Sequence, residues 1–526
     1  MRVRALVAAV IVLAAVARVA LLSRPGLNTD ELYVARYALA VDAPSLSDDV
    51  HPPLFPAIER LVSSFDLGMT IEGRVRILPV LAGTVLVALF ALVGFVIAGE
   101  AGALLGVLVS FLDPSLISMS RLARSYSLSA MLGAAAFLAL WEVIRRPECR
   151  KRMAALALAN ALGLYTFYYA GYLCIAQLAI AAIAWRRSRT TARSIAVANV
   201  AAFALFAPWI VVALGQFARL GPDVGWTHWD ATPYQIARRS IQIFVQHSPV
   251  SALVKSAYLA SGRLGAASAA VGAGAIVWGA WRAARRRGAD LGGFALMDSA
   301  GRMGAGFPLA IVAVTIASAL AAHFVFGVFI ATHYFALLAA PILALFLMAI
   351  SSLGEGAMRN ALLTIVLAAQ ILMGAITRDE GREDLREVVR RFDRNARPGA
   401  KVLVVAHFVK DAFLVYSNRS DDAIALPTDL PGFGPLPRES AAIMPPTARD
   451  ALLATLGGAH DVWIVESHGT RDGRDRGAAL ARAWLAEAGY RRADMGRAHG
   501  AGWERYWLAK FPRRAPAGDP AISPAP

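Results

Sequence analysis

Charge and cysteine are what this chain has least of. Charged residues make up 17% of its 526 residues, where an average soluble domain has about a quarter. It has two cysteines, Cys149 in a basic stretch between apolar runs and Cys174 inside an apolar run. They cannot easily meet, so a disulfide framework is not indicated. No Cys/His spacing resembles a zinc site. Gly272-Ala273-Gly274 lacks the preceding strand and following helix that a nucleotide-binding loop needs.

Apolar residues are what it has instead. They make up 57% of the chain, and the mean hydropathy is +0.52. Disorder, collagen and coiled coil are excluded by this composition, and an ordinary soluble enzyme is disfavoured. The length alone would allow about three soluble domains. The apolar residues, however, fall in runs of about 20, the length that crosses a bilayer as a helix. The composition therefore describes a polytopic α-helical membrane protein.

The net charge is 53 − 37 = +16. Much of the excess lies in short clusters: Arg145, Arg146, Arg150, Lys151 and Arg152; Arg186, Arg187, Arg189 and Arg193; Arg282, Arg285, Arg286 and Arg287. Lys and Arg accumulate in loops that stay cytoplasmic. The clusters lack the interleaved aromatics of a single-strand binding groove, so no nucleic-acid partner is expected.

Apolar runs at 5–22, 77–98, 101–119, 127–144, 153–169, 171–185, 194–215, 262–281, 306–326, 334–351 and 360–377 make about eleven spans. The first reads as an uncleaved helix starting in the cytoplasm. All three basic clusters then fall inside. The polar loops 23–76 and 216–255, the turn from Arg121 to Tyr126, and the C-terminus fall outside. Gly102 and Gly106 are spaced for close helix approach. After Thr377 charged helical spacing at 382–395 alternates with strand-length runs at 401–407 and 461–466, an amphipathic stretch at 475–489, and a last alternating run at 503–510. This predicts a small extracytoplasmic α/β domain over 378–511, after the membrane module of 1–377. A Pro- and Ala-rich tail, 512–526, is expected to be disordered.

The residues able to carry chemistry gather on the expected outer side. Asp30-Glu31 follows the first span, and adjacent helical residues point about 100° apart, so one carboxylate can act as a general base while its neighbour does something else. Asn28-x-x-Glu31 also fits a capping box. His51-Pro52-Pro53-Leu54 fixes the backbone after a histidine. Arg121-x-x-Arg124-x-Tyr126 places two guanidiniums at i and i+3, where a shared helix face suits a phosphate. Arg on the non-cytoplasmic side runs against the usual bias, which favours ligand binding. Arg74 and Arg76 have a weaker claim of the same kind. Tyr165, Phe167, Tyr168, Tyr169 and Tyr172 fit an interfacial aromatic belt or a stacking surface. Trp226 sits in the 216–255 loop, and His333-Tyr334 opens a late span.

In this order and topology the motifs resemble the GT-C membrane glycosyltransferases, in the bacterial branch akin to protein mannosyltransferases and lipid A aminoarabinose transferases. Asp30-Glu31-Leu32-Tyr33, His51-Pro52-Pro53-Leu54 and Ser120-Arg121-Leu122-Ala123-Arg124-Ser125-Tyr126 carry the resemblance over residues 1–185. It implies an inverting transferase of the bacterial inner membrane, taking a sugar from a polyprenyl-phosphate donor to a glycan, lipid or protein acceptor at the outer face. It implies Asp30 as base with Glu31 assisting or orienting. Arg124, with Arg121, His51 and Arg74, would hold the donor phosphate. Tyr33, Tyr126, Tyr168, Trp226, His333 and Tyr334 would line the substrate. Related chains often carry Arg-Tyr where this one has His333-Tyr334, so a fixed charge is missing there. Some GT-C enzymes use a divalent metal. Asp30, Asp48, Asp49 and His51 share a loop without forming a clear ligand set, so no metal and no cofactor is expected. The alternative is a transporter or lipid-carrier flippase, which should place ionisable residues mid-membrane and show internal repeats. A non-catalytic scaffold would leave Asp30 and Arg124 dispensable.

Overall fold

The computed structural model describes all residues except 1, 21, 24–25, 41–45, 47–50, 66–67, 221–231, 261, 287–296, 298–301, 327–329, 355, 377–384, 406–408, 432–444, 467–475, 494–497, 500–505 and 514–526. The chain is a polytopic helical bundle. Its helices are α1 (Arg2–Val19), α2 (Thr29–Ala38), α3 (Leu54–Ser63), α4 (Ile71–Leu112), α5 (Pro114–Ser120), α6 (Tyr126–Arg145), α7 (Arg150–Thr166), α8 (Ala170–Trp185), α9 (Arg189–Leu220), α10 (Pro233–Gln246), α11 (Ser251–Ala260), α12 (Gly262–Arg286), α13 (Gly306–Phe326), α14 (Ala339–Ser352) and α15 (Ala357–Ile376). A tight 3₁₀ turn, Thr332–Leu338, leads into α14.

Among the described residues six helical segments are long and apolar enough to cross a membrane: Ile71–Leu112, Tyr126–Arg145, Arg189–Ala218, Gly306–Phe326, Thr332–Ser352 and Ala357–Ala375. The expected runs outnumber them for physical reasons. α1 carries Arg2, Arg4 and Arg18, and α7 and α8 have 17 and 16 residues. α4 absorbs two of the expected runs. Helical geometry fails at Ala98 (φ −144°, ψ 27°) and Gly99 (φ 64°, ψ −147°), where only the second needs the freedom of glycine. The chain doubles back there. A Cβ on Gly94 would meet the Gly102 carbonyl oxygen at 2.0 Å, and one on Gly106 the Phe90 oxygen at 2.4 Å. Gly102 and Gly106 therefore serve close packing between the two legs of one hairpin.

The 23–76 region is not an open loop. It holds α2 and α3, whose apolar faces seat Val34 and Phe55 on Leu78, Ala82, Leu128 and Leu132. The 216–255 region is also more ordered than a loop, since α9 runs on to Leu220 and α10 and the first half of α11 follow.

After α15, α16 (Leu385–Asn395) precedes a five-stranded sheet of order β2-β1-β3-β5-β4. The strands are β1 (Lys401–Val404), β2 (Ala423–Ala425), β3 (Asp461–Glu466), β4 (Ala498–His499) and β5 (Tyr506–Pro512). α17 (Lys410–Tyr416), α18 (Ala448–Leu456) and α19 (Arg476–Glu487) connect them. β1 is parallel to β2 and β3, and β5 runs antiparallel between β3 and β4. Strand alternation puts Val402, Val404, Trp463 and Val465 on one face, and Leu403, Val405, Val462 and Ile464 on the other. The first face packs on Val388, Phe392 and Phe413 and shares one core with Leu27, Leu32 and Ala35 beside and on α2. The sheet is thereby joined to the helices that carry the motifs. β5 reaches Pro512, so ordered structure passes the expected start of the tail, whose residues 514–526 lie outside the described ones.

Candidate functional site

α2 begins with a complete capping box. The Asn28 side chain accepts from Glu31 N at 2.8 Å, and Glu31 Oε2 accepts from Asn28 N at 3.2 Å. This start turns Asp30 outward and Glu31 inward. Asp30 is exposed, while Glu31 is 2% exposed. Glu31 takes a bidentate fork from Arg76, with Nε–Oε1 and Nη2–Oε2 both 2.7 Å. Arg76 also donates to the Leu22 and Gly26 carbonyls, at 3.0 and 3.1 Å. Glu31 Oε1 accepts a further bond from Ala123 N at 2.9 Å. A buried charge needs this much partnership to be tolerated.

Ala123 lies in the turn between α5 and α6. That turn is not helical: Arg121 N donates to Ser118 O and Arg124 N to Leu122 O. Arg121 and Arg124 consequently do not share a helix face, which corrects the i, i+3 expectation. Arg121 is half-buried at the end of α5, whereas Arg124 is 7% exposed and points to the histidine of the His-Pro-Pro motif. Arg124 Nη2 lies 3.2 Å from His51 Nε2. A guanidinium has no lone pair to offer, so His51 must accept at Nε2 and carry its proton on Nδ1. Burial by itself would lower the pKa of Arg124. The oxygens of Tyr126, Asp30 and Tyr334 more than offset this, so the group stays cationic.

Aromatic rings surround this cation. Tyr126 meets His333 edge-on at 4.8 Å between centroids, Tyr334 at 6.2 Å and Phe167 at 6.3 Å. Tyr169 packs on Phe167 and Tyr334 at 5.2 Å. Asp30 also acts through its charge on His333 and Tyr334. The structure thus brings Asp30, His51, Arg124, Tyr126, His333 and Tyr334 into one neighbourhood. His247, just past α10, donates from Nε2 to Thr332 O at 2.8 Å and so holds the turn bearing His333 and Tyr334. Burial pushes its pKa down to about 4, against the Thr332 bond and with the help of nearby His333, and leaves the ring neutral.

Other expected site residues are placed differently. Arg74 is half-buried and donates to the Ser63 carbonyl at the end of α3. Tyr33 lies one turn after Asp30 and its hydroxyl is 3.2 Å from that of Tyr37. Tyr168 hydrogen-bonds Gln216, accepts from Trp209 Nε1 at 3.0 Å, and sits with Phe206 and Phe217. Phe167 and Tyr169 take the inward positions instead. Trp226, Asp48 and Asp49 lie outside the described residues. Among the described residues no three His, Cys, Asp or Glu side chains come together to hold a metal.

No protein-family model matches the chain, and no curated protein matches it. Solved structures do. ArnT from Cupriavidus metallidurans in its apo state is 12% identical, with 97% of this chain and 98% of that one covered and a TM-score of 0.54. The Archaeoglobus fulgidus oligosaccharyltransferase in its apo form is 11% identical, with 88% and 69% covered and a TM-score of 0.51. At these identities the likeness shows the fold: the chain has the GT-C glycosyltransferase fold.

Proposed function

We propose that this chain is a membrane glycosyltransferase that moves a sugar from a polyprenyl-phosphate donor to an acceptor hydroxyl or amine at the extracytoplasmic face. One observation carries the reading: an exposed carboxylate, Asp30, stands in the field of a buried guanidinium, Arg124, that is hydrogen-bonded to His51. The pair supplies what a direct displacement requires. Asp30 takes the proton from the acceptor as its heteroatom bonds to the anomeric carbon. The bond from that carbon to the phosphate oxygen breaks, and the lipid phosphate departs with one more negative charge. Arg124, backed by His51, stabilises that charge and is already in place before the reaction. One displacement inverts the anomeric centre. Glu31 orients Asp30 and the Arg124 turn by its bonds to Arg76 and Ala123 N.

The reading includes a topology. The N-terminus is cytoplasmic, the membrane is the bacterial inner membrane, and the sheet region from 378 onward is extracytoplasmic, where it adjoins α2. No divalent metal takes part, so a chelator should leave turnover unchanged.

The test is transfer of radiolabelled sugar from polyprenyl-phosphate donors, with crude membrane lipids and glycans as acceptors. Asp30→Asn should lower kcat by about 10² to 10⁴ while sparing donor binding. Arg124→Ala should lower kcat/KM for the donor by about 10² to 10³. Wild type that moves no sugar, or variants that match wild type, would sink the reading.

A further inference from the structure

The turn that carries Arg124 is gripped from two sides. From one side Glu31 accepts the Ala123 amide. From the other, α1 sends in Arg18. This guanidinium, in the last turn of α1, is 0% exposed. Its Nε donates to Ser120 Oγ at 3.2 Å, Nη1 to Ala14 O at 3.2 Å and Nη2 to Ser110 O at 3.4 Å. Buried Asp113, whose carboxylate caps α5 through Ser115 N and Leu116 N, adds an opposite charge nearby. Ser120 Oγ in turn donates to Leu116 O, so this one hydroxyl links the arginine to the end of α5. Space is kept open for the contact. A Cβ on Gly83 would fall 2.1 Å from Ser120 Oγ and 3.4 Å from Arg18 Nε.

A buried charge is expensive unless it is fully partnered. Here the guanidinium is spent on three fixed acceptors, and one of them is the last residue before the Arg121–Ser125 turn. We infer that Arg18 is a positioning residue that sets Arg124 against the donor phosphate through Ser120. The inference rests on the transferase reading above. It predicts that loosening the α1 contact weakens phosphate binding at Arg124 without touching any group that meets substrate. Lysine cannot replace the arginine fully, since three divergent acceptors need the planar fork.

The probe is polyprenyl phosphate without sugar, bound to the full chain in nanodiscs, together with hydrogen exchange over residues 121–125. Arg18→Met and Ser120→Ala should each raise the Kd for polyprenyl phosphate about ten-fold, the loss of one hydrogen bond to a charged group. Exchange at the Ala123 amide should speed up, Arg18→Lys should fall between Met and wild type, and the acceptor KM should not move. If Arg18→Met does not fold, Ser120→Ala and Gly83→Ala decide. Folded variants with an unchanged Kd and unchanged exchange overturn the inference. Wild type that binds no polyprenyl phosphate overturns the transferase reading and the functional role with it. That result is told apart from failure of the mechanical link, because exchange at 121–125 is read independently of any ligand.

Discussion

Asp30 and Glu31 are neighbours in sequence and opposites in structure, and they should respond differently to the same small change. Glu31→Gln keeps the shape but leaves Arg76 as a buried cation without its counter-charge, which should cost about 3–5 kcal/mol of stability. Asp30→Asn changes an exposed group and should shift stability by less than about 0.5 kcal/mol while lowering kcat by about 10² to 10⁴. Thermal unfolding of both variants separates them, and equal losses would mean that Asp30 is structural. Glu59 on α3 offers a second contrast. It is 0% exposed, and neither carboxylate oxygen has a hydrogen-bond partner among the described residues. Burial raises its pKa well above the ordinary 4.5. As pH rises from 4.5, the unfolded chain gives up this proton and the folded chain does not. Stability therefore falls with rising pH until the folded pKa is reached, by about 1.4 kcal/mol per unit between the two values. In the Glu59→Gln variant this slope disappears. Its melting temperature should match or trail wild type near pH 4 and gain on it steadily toward pH 7. A gap that stays constant with pH would show that Glu59 is ionised in the folded chain.

At the scale of elements, local rules carried some motifs and missed others. The capping box at Asn28 was legible because an N-cap depends only on residues three apart in the chain. The shared face of Arg121 and Arg124 was misread because a helical period was applied to a turn. Tyr168 was misplaced for a related reason. Phe167 is extended (φ −159°, ψ 124°), so helical spacing lapses there, and 167 and 169 share a side opposite 168. Arg18 was hidden inside a hydropathy run, where one charge barely lowers the mean. Glu31–Arg76 and Arg18–Ser120 are 45 and 102 residues apart, separations over which a single sequence shows no pattern. The amide cluster of α7, α8 and α9 belongs with them. Asn160 Nδ2 donates to Gln177 Oε1 at 2.7 Å, Gln177 Nε2 to Asn160 Oδ1 at 2.9 Å, and Asn199 Nδ2 to Gln177 Oε1 at 3.1 Å. Within an apolar bundle these bonds fix which helices pair. Asn160→Leu should destabilise the bundle by about 0.6–2 kcal/mol, measured by unfolding in mixed micelles, because Gln177 keeps one partner in Asn199.

For the whole molecule, the question is whether the sheet region is a passenger or part of the site's frame, and one carboxylate argues for the second. Glu72 Oε1, on α4, accepts from Arg386 Nη1 at 2.9 Å and from the Tyr416 hydroxyl at 3.1 Å. The same hydroxyl accepts from Leu27 N at 2.9 Å, immediately before the Asn28 cap. Beside it Arg36 of α2 meets Asp411 of α17 at 2.7 Å. Glu72 is one helical turn from Arg76, which holds Glu31, and Glu31 holds the Arg124 turn. The docked sheet and the start of α2 are thus tied to one short stretch of α4. Burial and the nearby Glu72 charge raise the pKa of Tyr416, so it remains a hydroxyl able to donate and accept at once. Tyr416→Phe removes both roles and leaves the Leu27 amide without that acceptor. Loss of a bond to a carboxylate in this setting is worth about 1.5–3 kcal/mol. The expected outcome is faster hydrogen exchange at residues 26–31 and easier proteolytic release of the region after 385, with the membrane helices unaffected. Transfer should slow together with the exchange change, because the start of α2 carries Asp30. If exchange at 26–31 is the same in Tyr416→Phe as in wild type, the sheet does not frame the site and its contact with α2 serves only to keep it docked.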